Sequence, residues 1–574
     1  MIVEGSEGVT HKDLQAYRHV SDRLPISAWL VATVELAERW SYYGTTNGFT
    51  NYIRAELPPQ SRDGRVVVDR QDGVAGALGL GQQKAFAIKT FNTFFVYVTP
   101  ILGAIIADTM WGRHKTILVF SVVCLVGHVI LTASAVPSSL ENTNGALALL
   151  VISIVIMANV SPLIAEQYTG KLRKEMLPSG ETVIKSPALT YQRIYLWFYA
   201  AINVGAVGAI SASFIARNHG YWTAYLVPTA IFAIVPGLLA ATRKYYVITP
   251  PRGSILLETF RVLRMCLSPV WSPNPRKTWR AIKSTGFWEV AKPSTYEEGE
   301  VPASITWDDE FVGEVDRTVN ACGVFLFFPF YWLCYSQIDN NLTTVSASLR
   351  LDGTPNDLVQ NLNPITLIVF IPIFDRGIYP LLRKWKINFT PIKRITTGFF
   401  IAGLGMLYAA VLQHFIYQRS PCHNNLPTQC RKEDETPDPV PMSVWVIAGP
   451  YVIMGISEIF ASITSLEYAF TKAPKRMRSV VMAFAQFQQA LAAALNFSLT
   501  AVNVEDRFTW LFGSMGVTTW VVGALFWILN RELDKRELAL NSIGTGNREG
   551  FAGETAETTV GTHRVGEEKQ EPSG

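Results

Sequence analysis

Long stretches without a charged side chain recur along this 574-residue chain, and nothing else constrains its fold as tightly. Thr116–Pro137 and Ala146–Pro162 are two of them, close to the roughly 20 residues that carry a helix across a hydrocarbon core. A soluble protein of this size needs more charge to cover its surface than the 17% present here beside 49% apolar residues, and these charges cluster between the apolar runs. Spans are read near Leu24–Tyr52, Ala85–Ala107, His114–Ala135, Ala146–Tyr168, Ile194–Ala216, Tyr221–Ala241, Val319–Asn340, Asn363–Leu382, Arg394–Tyr417, Ser443–Phe470, Val480–Thr500 and Phe508–Asn530. The expected fold class is an all-α membrane protein with twelve transmembrane helices.

Basic residues then set the threading, because cytoplasmic loops retain Lys and Arg. Arg113 and Lys115, then Lys171, Arg173, Lys174 and Lys185, then the group from Arg376 to Arg394, then Lys472, Lys475, Arg476 and Arg478 all fall on one side. The alternate connections hold no basic residue at Ser134–Gly145 and single ones at Arg217, Arg350 and Arg507; Arg54–Lys84, long and of mixed charge, is the exception. An even number of spans puts both termini in the cytoplasm. Residues 1–23 form a polar tail with no cleavable signal expected, so the first helix serves as its own insertion signal. Residues 24–242 are expected to form one six-helix bundle and 319–530 a second. The connection 243–318 is expected to hold amphipathic helices on the cytoplasmic membrane face, or else to be a solvated linker. Residues 531–574 form a cytoplasmic, largely disordered tail.

Several chemistries find no support. The net charge of +4 is spread over the loops and gives no nucleic-acid face. No His/Cys cluster has metal-ligand spacing and no phosphate loop occurs, so neither an enzyme nor a cofactor is expected. Cys124, Cys266, Cys322 and Cys334 read as small apolar fillers. Cys422 and Cys430 sit together in a polar loop placed outside the cell, where they form a candidate disulfide.

The first span carries ELAERWSYYG, with Glu35, Glu38 and Arg39 well inside a helix where each charge costs a few kcal/mol. Helical spacing sets Glu35 beside Arg39 and Glu38 beside Tyr42. Two carboxylates sharing one cation in a low-dielectric site leave one able to take up a proton reversibly; a permanent ion-pair cluster that locks the bundle is the alternative. GAIIADTMWGRHKT contains Gly103, Asp108, Gly112 and Arg113 at the cytoplasmic end of the second span. Its small residues suit close helix approach and its charges suit a gate or a topology-fixing turn. Asn203, with Tyr195 and Tyr199 on the same helix, is a polar cluster for a ligand or for interhelical packing. Glu458 is an intramembrane carboxylate of the tenth span for which no span offers an obvious Lys, and Glu467 lies nearer the cytoplasm.

Taken together, ELAERWSYYG, GAIIADTMWGR, FYAAINVG, the LNPI and FTPIKR segments and SEIFASITSLEYAFTKAP resemble the proton-dependent oligopeptide transporters of the major facilitator superfamily, in particular their fungal peptide-transporter branch. The resemblance runs from about Trp29 to Asn530 and implies two six-helix bundles around a central cavity, import of di- or tripeptides with protons at the plasma membrane, and alternating access by a monomer. Carried over, Glu35, Glu38 and Arg39 handle the proton and the peptide carboxylate, Tyr42, Tyr43, Tyr199 and Asn203 line the peptide site, and Glu458 meets the peptide amino group. Trp40 replaces the family's Phe. VISIVIM runs directly into Ala158 and Asn159, without the Gly-rich, Lys-ending stretch that precedes the family's Asn-x-Ser-Pro. In the seventh span the bacterial members' acidic residues near Gln337 are replaced by Tyr335 and Ser336, and Gln337 joins the candidate substrate contacts. Transport of another small anion, or a non-transporting variant, are the alternatives that the shortened fourth span leaves open.

Overall fold

The structure, a computed structural model, describes residues 6–543 apart from 8–12, 14–15, 67–70, 158–170, 249–250, 298–301, 434–435 and a few single positions. Asn159–Pro162 and the tail beyond 543 therefore lie outside the described residues. Helices follow in the order of the expected spans: α1 Ile26–Thr46, α2 Gly81–Trp111, α3 Arg113–Ser134, α4 Thr143–Met157, α5 Pro187–His219, α6 Tyr221–Ala241, α7 Asp309–Ser346, α8 Leu362–Ile373, α9 Pro391–Arg419, α10 Val444–Tyr468, α11 Arg478–Ser498 and α12 Glu505–Glu532. Among the described residues, eight of these are long and apolar enough to cross a membrane. The first helix carries its three charges, and α4, at 15 residues, is about 22 Å long where described.

In the first half α1 packs on α5 and α6, and α3 on α4 and α6; in the second, α9 packs on α12 and α10, α7 on α11 and α12, and α8 on α10. The α2–α11 pair joins the two halves. Small residues set the closest approaches in the first half. A methyl group on Gly205 would lie 2.6 Å from Arg39 Cβ, and one on Gly208 would lie 2.7 Å from the Trp40 carbonyl oxygen, so α5 meets α1 backbone to backbone. The carbonyl oxygen of Pro228, inside α6, accepts from Ser41 Oγ at 2.8 Å, a polar tie between α6 and α1.

A small four-stranded sheet is added to the helical bundles. The hairpin Leu172–Met176 and Thr182–Lys185, between α4 and α5, takes a parallel strand from the N-terminal tail on each edge, Ser6–Glu7 and His19–Val20. Lys174–Asp13 at 2.6 Å, Arg173–Asp22 at 2.9 Å and Arg18–Glu181 at 3.0 Å hold the tail there. Alternation over such short strands was too brief to read in the sequence.

The long connection between α6 and α7 also packs. Ser254 caps a helix over Ile255–Leu267, and Asp308 caps α7 by accepting from Phe311 N at 2.8 Å. Val262, Cys266, Phe287, Trp307, Phe311 and Met477 share one buried cluster, which fixes this helix against the first turns of α7 and the approach to α11. On the opposite side Cys422 and Cys430 are joined as a disulfide.

Polar groups close the two halves against each other on the side that the charge pattern assigns to the exterior. Asn51 and Asn356, both buried, exchange amide hydrogen bonds of 2.8 and 3.0 Å. Gln82 donates to Asn341 at 2.7 Å, and Gln360 to Asn47. Arg217 at the end of α5 donates to the carbonyls of Gln71 and Gly73 at 2.6 and 2.9 Å, while Asp72 accepts from the backbone of Leu351 at 2.7 Å. The long Arg54–Lys84 connection is thus strapped across both halves. In the connection between α7 and α8, burial pushes the Asp357 carboxyl up to about 6 against the pull of Ser213, Lys89 and Arg217.

Set against an ordinary hydrated carboxyl, that shift makes the closed arrangement most stable below about pH 4. The contribution is lost as pH rises to 6, an effect of about 3 kcal/mol over the window. Thermal unfolding between pH 4 and 6 should therefore show a falling midpoint in the wild type and a flatter one in Asp357→Asn; equal slopes would rule this assignment out.

Candidate functional site

The first-helix cluster forms as its spacing requires. Arg39 Nε donates to Glu35 Oε1 at 2.9 Å and lies 2.6 Å from Glu38 Oε2. One N–H cannot point at both oxygens. It is aligned on Glu35, and Glu38 Oε2 is buried beside the cation without a hydrogen bond among the described residues. The Tyr42 ring lies 5.5 Å from the guanidinium carbon and meets Tyr43 edge to face at 5.3 Å. Gly205 and Gly208 hold this stretch of α1 in place, and they put Asn203, half-buried, on the same helix two residues before the contact. The side chain of Tyr199 lies outside the described residues.

Glu458 faces this cluster from the other half. Tyr43 is within the electrostatic reach of both Arg39 and Glu458. Tyr97 of α2 feels Arg39, Asp339 and Glu458, and Tyr335 of α7 feels Glu458, Asp339 and Tyr43. Asn363 Nδ2 donates to the Tyr335 hydroxyl at 3.1 Å, and both residues bond to the Glu458 carboxylate, whose Oε2 is left buried without a partner among the described residues. Arg39 of one half and Glu458 of the other thus share Tyr43 and Tyr97 as phenol neighbours. Directly after Glu458 the helix widens into a π turn at Ile459–Ile463, a local distortion that recurs at functional sites.

Three expectations change. Gln337 is fully buried, with its Nε2 donating to Asn496 at 2.9 Å and its Oε1 accepting from Asn341 at 2.8 Å, so packing within the second half occupies its amide. The seventh span does keep an acidic residue: Asp339, two positions on, lies in a π turn, and its carbonyl accepts from Lys89 Nζ at 2.8 Å. Lys89 is a cation of α2 that the span reading passed over because it sits in a run of mixed residues near the start of the helix. Gly103 is not a close-approach position, since a methyl there would meet only the Phe120 ring at 3.7 Å. Gly112, by contrast, adopts φ 73° between α2 and α3, a conformation that favours glycine, and beside it Asp108 and Arg113 pair at 3.3 Å. The Asp108 carbonyl accepts from Gly253 N at 3.1 Å, which ties this turn to the connection between α6 and α7. Glu467 pairs with Arg394 of α9 at 3.6 Å.

Comparison with known proteins gives consistent relationships. The sequence model of the POT family matches residues 114–521. The peptide transporter PTR_A of Candidozyma auris is 36% identical over 547 residues, covering 93% of this chain and 86% of that protein. The probable peptide transporter ptr2 of Schizosaccharomyces pombe is 37% identical, covering 93% and 82%. The peptide transporter PTR2 of Saccharomyces cerevisiae is 35% identical, covering 94% and 84%. Among solved structures, an auto-inhibited POT family peptide transporter superposes with a TM-score of 0.66 at 19% identity, covering 88% of this chain and 97% of that one. The POT family transporter PepTSo gives 0.66 at 18%, covering 90% and 99%. These last two speak for the fold alone, a helical membrane-protein fold shared with solved POT family transporters.

Proposed function

Because the chain belongs to the POT family of membrane transporters, we propose that it carries di- and tripeptides into the cell together with protons, by alternating access at the plasma membrane. What supports the substrate assignment is that Arg39 of one half and Glu458 of the other both lie within electrostatic reach of Tyr43 and Tyr97, with Tyr335 beside Glu458. A short peptide at neutral pH is a zwitterion whose carboxylate suits a guanidinium and whose ammonium suits a carboxylate. The phenols offer apolar faces to varied side chains and hydroxyls to the peptide bond. Such a site reads the two ends and tolerates what lies between.

Coupling follows from the shared cation. While Glu35 and Glu38 both hold a negative charge, Arg39 is committed to them; a proton taken by Glu38 frees part of the guanidinium for the substrate carboxylate, so proton and peptide favour each other. Asn203 and Tyr42 complete the site on the first half. The protein acts as a monomer, since each chain supplies both charged ends of the site.

Competition separates peptides from other small anions. In cells lacking their own peptide uptake, expression of this chain should confer uptake of a labelled dipeptide that unlabelled di- and tripeptides suppress. N-acetylated dipeptides and dicarboxylates should not suppress it. Equal suppression by a blocked amino terminus would remove Glu458 from the site.

A further inference from the structure

The cytoplasmic helix Ile255–Leu267 has two unlike faces. Val262 and Cys266 are fully buried in the cluster under α7. The other face presents Phe260, 63% exposed, with Arg261 and Arg264 exposed beside it, and the chain leaving the helix presents Trp271 at 70% and then Lys277 and Arg280. Between residues 252 and 283 the only acidic residue is Glu258, and its carboxylate accepts from Thr306 at 3.4 Å.

The acidic half of the same connection is occupied elsewhere. Glu289 pairs with Lys292 at 2.6 Å, Asp309 accepts from Ser294 N at 3.2 Å, and Asp308 and Glu314 both face Arg476 at 3.8 Å. Among the described residues no carboxylate pairs with Arg261, Arg264, Lys277 or Arg280. Exposed Phe260 and Trp271 and four cations without a carboxylate partner among the described residues thus lie within the stretch from Phe260 to Arg280, on the side of the chain that the charge pattern places in the cytoplasm.

From this juxtaposition we propose that the Ile255–Arg280 surface binds the cytoplasmic leaflet, with Phe260 and Trp271 in the headgroup boundary and the four cations on anionic phospholipids. The chemistry matches on both counts. Aromatic rings with polar surroundings partition to the bilayer interface, and Lys and Arg are drawn to the negative potential of the inner leaflet within a Debye length. The buried face, packed on the first turns of α7, keeps this helix beside the end of a candidate membrane span. Anchoring here fixes the joint between the two halves relative to the membrane, so the halves rock about a held connection.

A fluorescent probe on Ser268→Cys, at the exposed end of this helix, reports the environment without removing either aromatic. Cys124, Cys266 and Cys334 are buried and Cys322→Ala removes the remaining half-buried thiol. The full chain is placed in nanodiscs of phosphatidylcholine alone, or with about one third phosphatidylserine. Lipid-borne nitroxide should quench the probe strongly in the anionic discs, and aqueous iodide should quench it in the neutral ones. Arg261→Glu with Arg264→Glu should restore iodide access in the anionic discs, as should high salt, while each protein still elutes as a single species. Iodide access in both discs, or equal lipid quenching in both, would overturn the proposal. Protection lost on deleting residues 544–574 would identify the acidic tail as the occupant and overturn it equally.

Discussion

Glu38→Gln should abolish uphill accumulation of peptide while peptide exchange across the membrane continues. Arg39 aligns its Nε–H on Glu35, so Glu38, whose Oε2 lies 2.6 Å from that nitrogen without a hydrogen bond among the described residues, is the carboxylate best placed to exchange a proton. An amide there is permanently neutral. It keeps the shape of the site and frees the guanidinium for substrate in every state, so exchange persists and coupling is lost. Gradient-driven accumulation should fall at least about tenfold, since a driving proton worth 1.4 kcal/mol per pH unit no longer contributes. Arg39→Ala is harsher, because it leaves two buried carboxylates without a cation, a loss of about 3–5 kcal/mol. It should lower both stability and peptide binding. A Glu38→Gln protein that still accumulates peptide against its gradient would move the proton site elsewhere.

Gly205→Ala should damage the same site from the neighbouring helix. The added methyl would lie 2.6 Å from Arg39 Cβ and 3.0 Å from Leu36 O and Trp40 N, so backbone must move. Overpacking of this kind costs about 1–3 kcal/mol. It also pushes α1 away from α5, which rotates Arg39 out of line with Glu35. Both the thermal midpoint and peptide affinity should therefore fall. Gly237→Ala serves as the control, because a methyl there meets nothing within 4 Å and should change neither. Equal behaviour of the two variants would show that close packing of α1 on α5 is not what positions the cluster.

Much of this arrangement is legible in the chain itself, for identifiable reasons. Apolar runs and the bias of Lys and Arg mark the helices because a bilayer punishes exceptions at every position. Glu35, Glu38 and Arg39 stand out for the same reason, and their i, i+4 spacing fixes their contact. Lys89 and Asp339 were passed over because each sits near a helix end or a π turn, where a charge looks less costly in a one-dimensional scan. Tyr97 has no signal in the sequence and Tyr335 reads only as a replacement for an acidic residue, since their nearness to Arg39 or Glu458 depends on helices far apart in the chain. Gln337 misled in the opposite direction: a polar residue in a span reads as a ligand contact, yet here two asparagines satisfy it. The N-terminal strands and the Asn51–Asn356 pair are likewise invisible to periodicity, because each joins segments far apart in the chain.

Uptake of a labelled dipeptide into proteoliposomes containing the purified protein, with an inwardly directed pH gradient imposed, tests proton-coupled peptide transport most directly. Accumulation should exceed the external concentration while the gradient lasts and collapse when a protonophore is added. Uptake that is unchanged by the protonophore, or no uptake beyond that of protein-free vesicles, would contradict it.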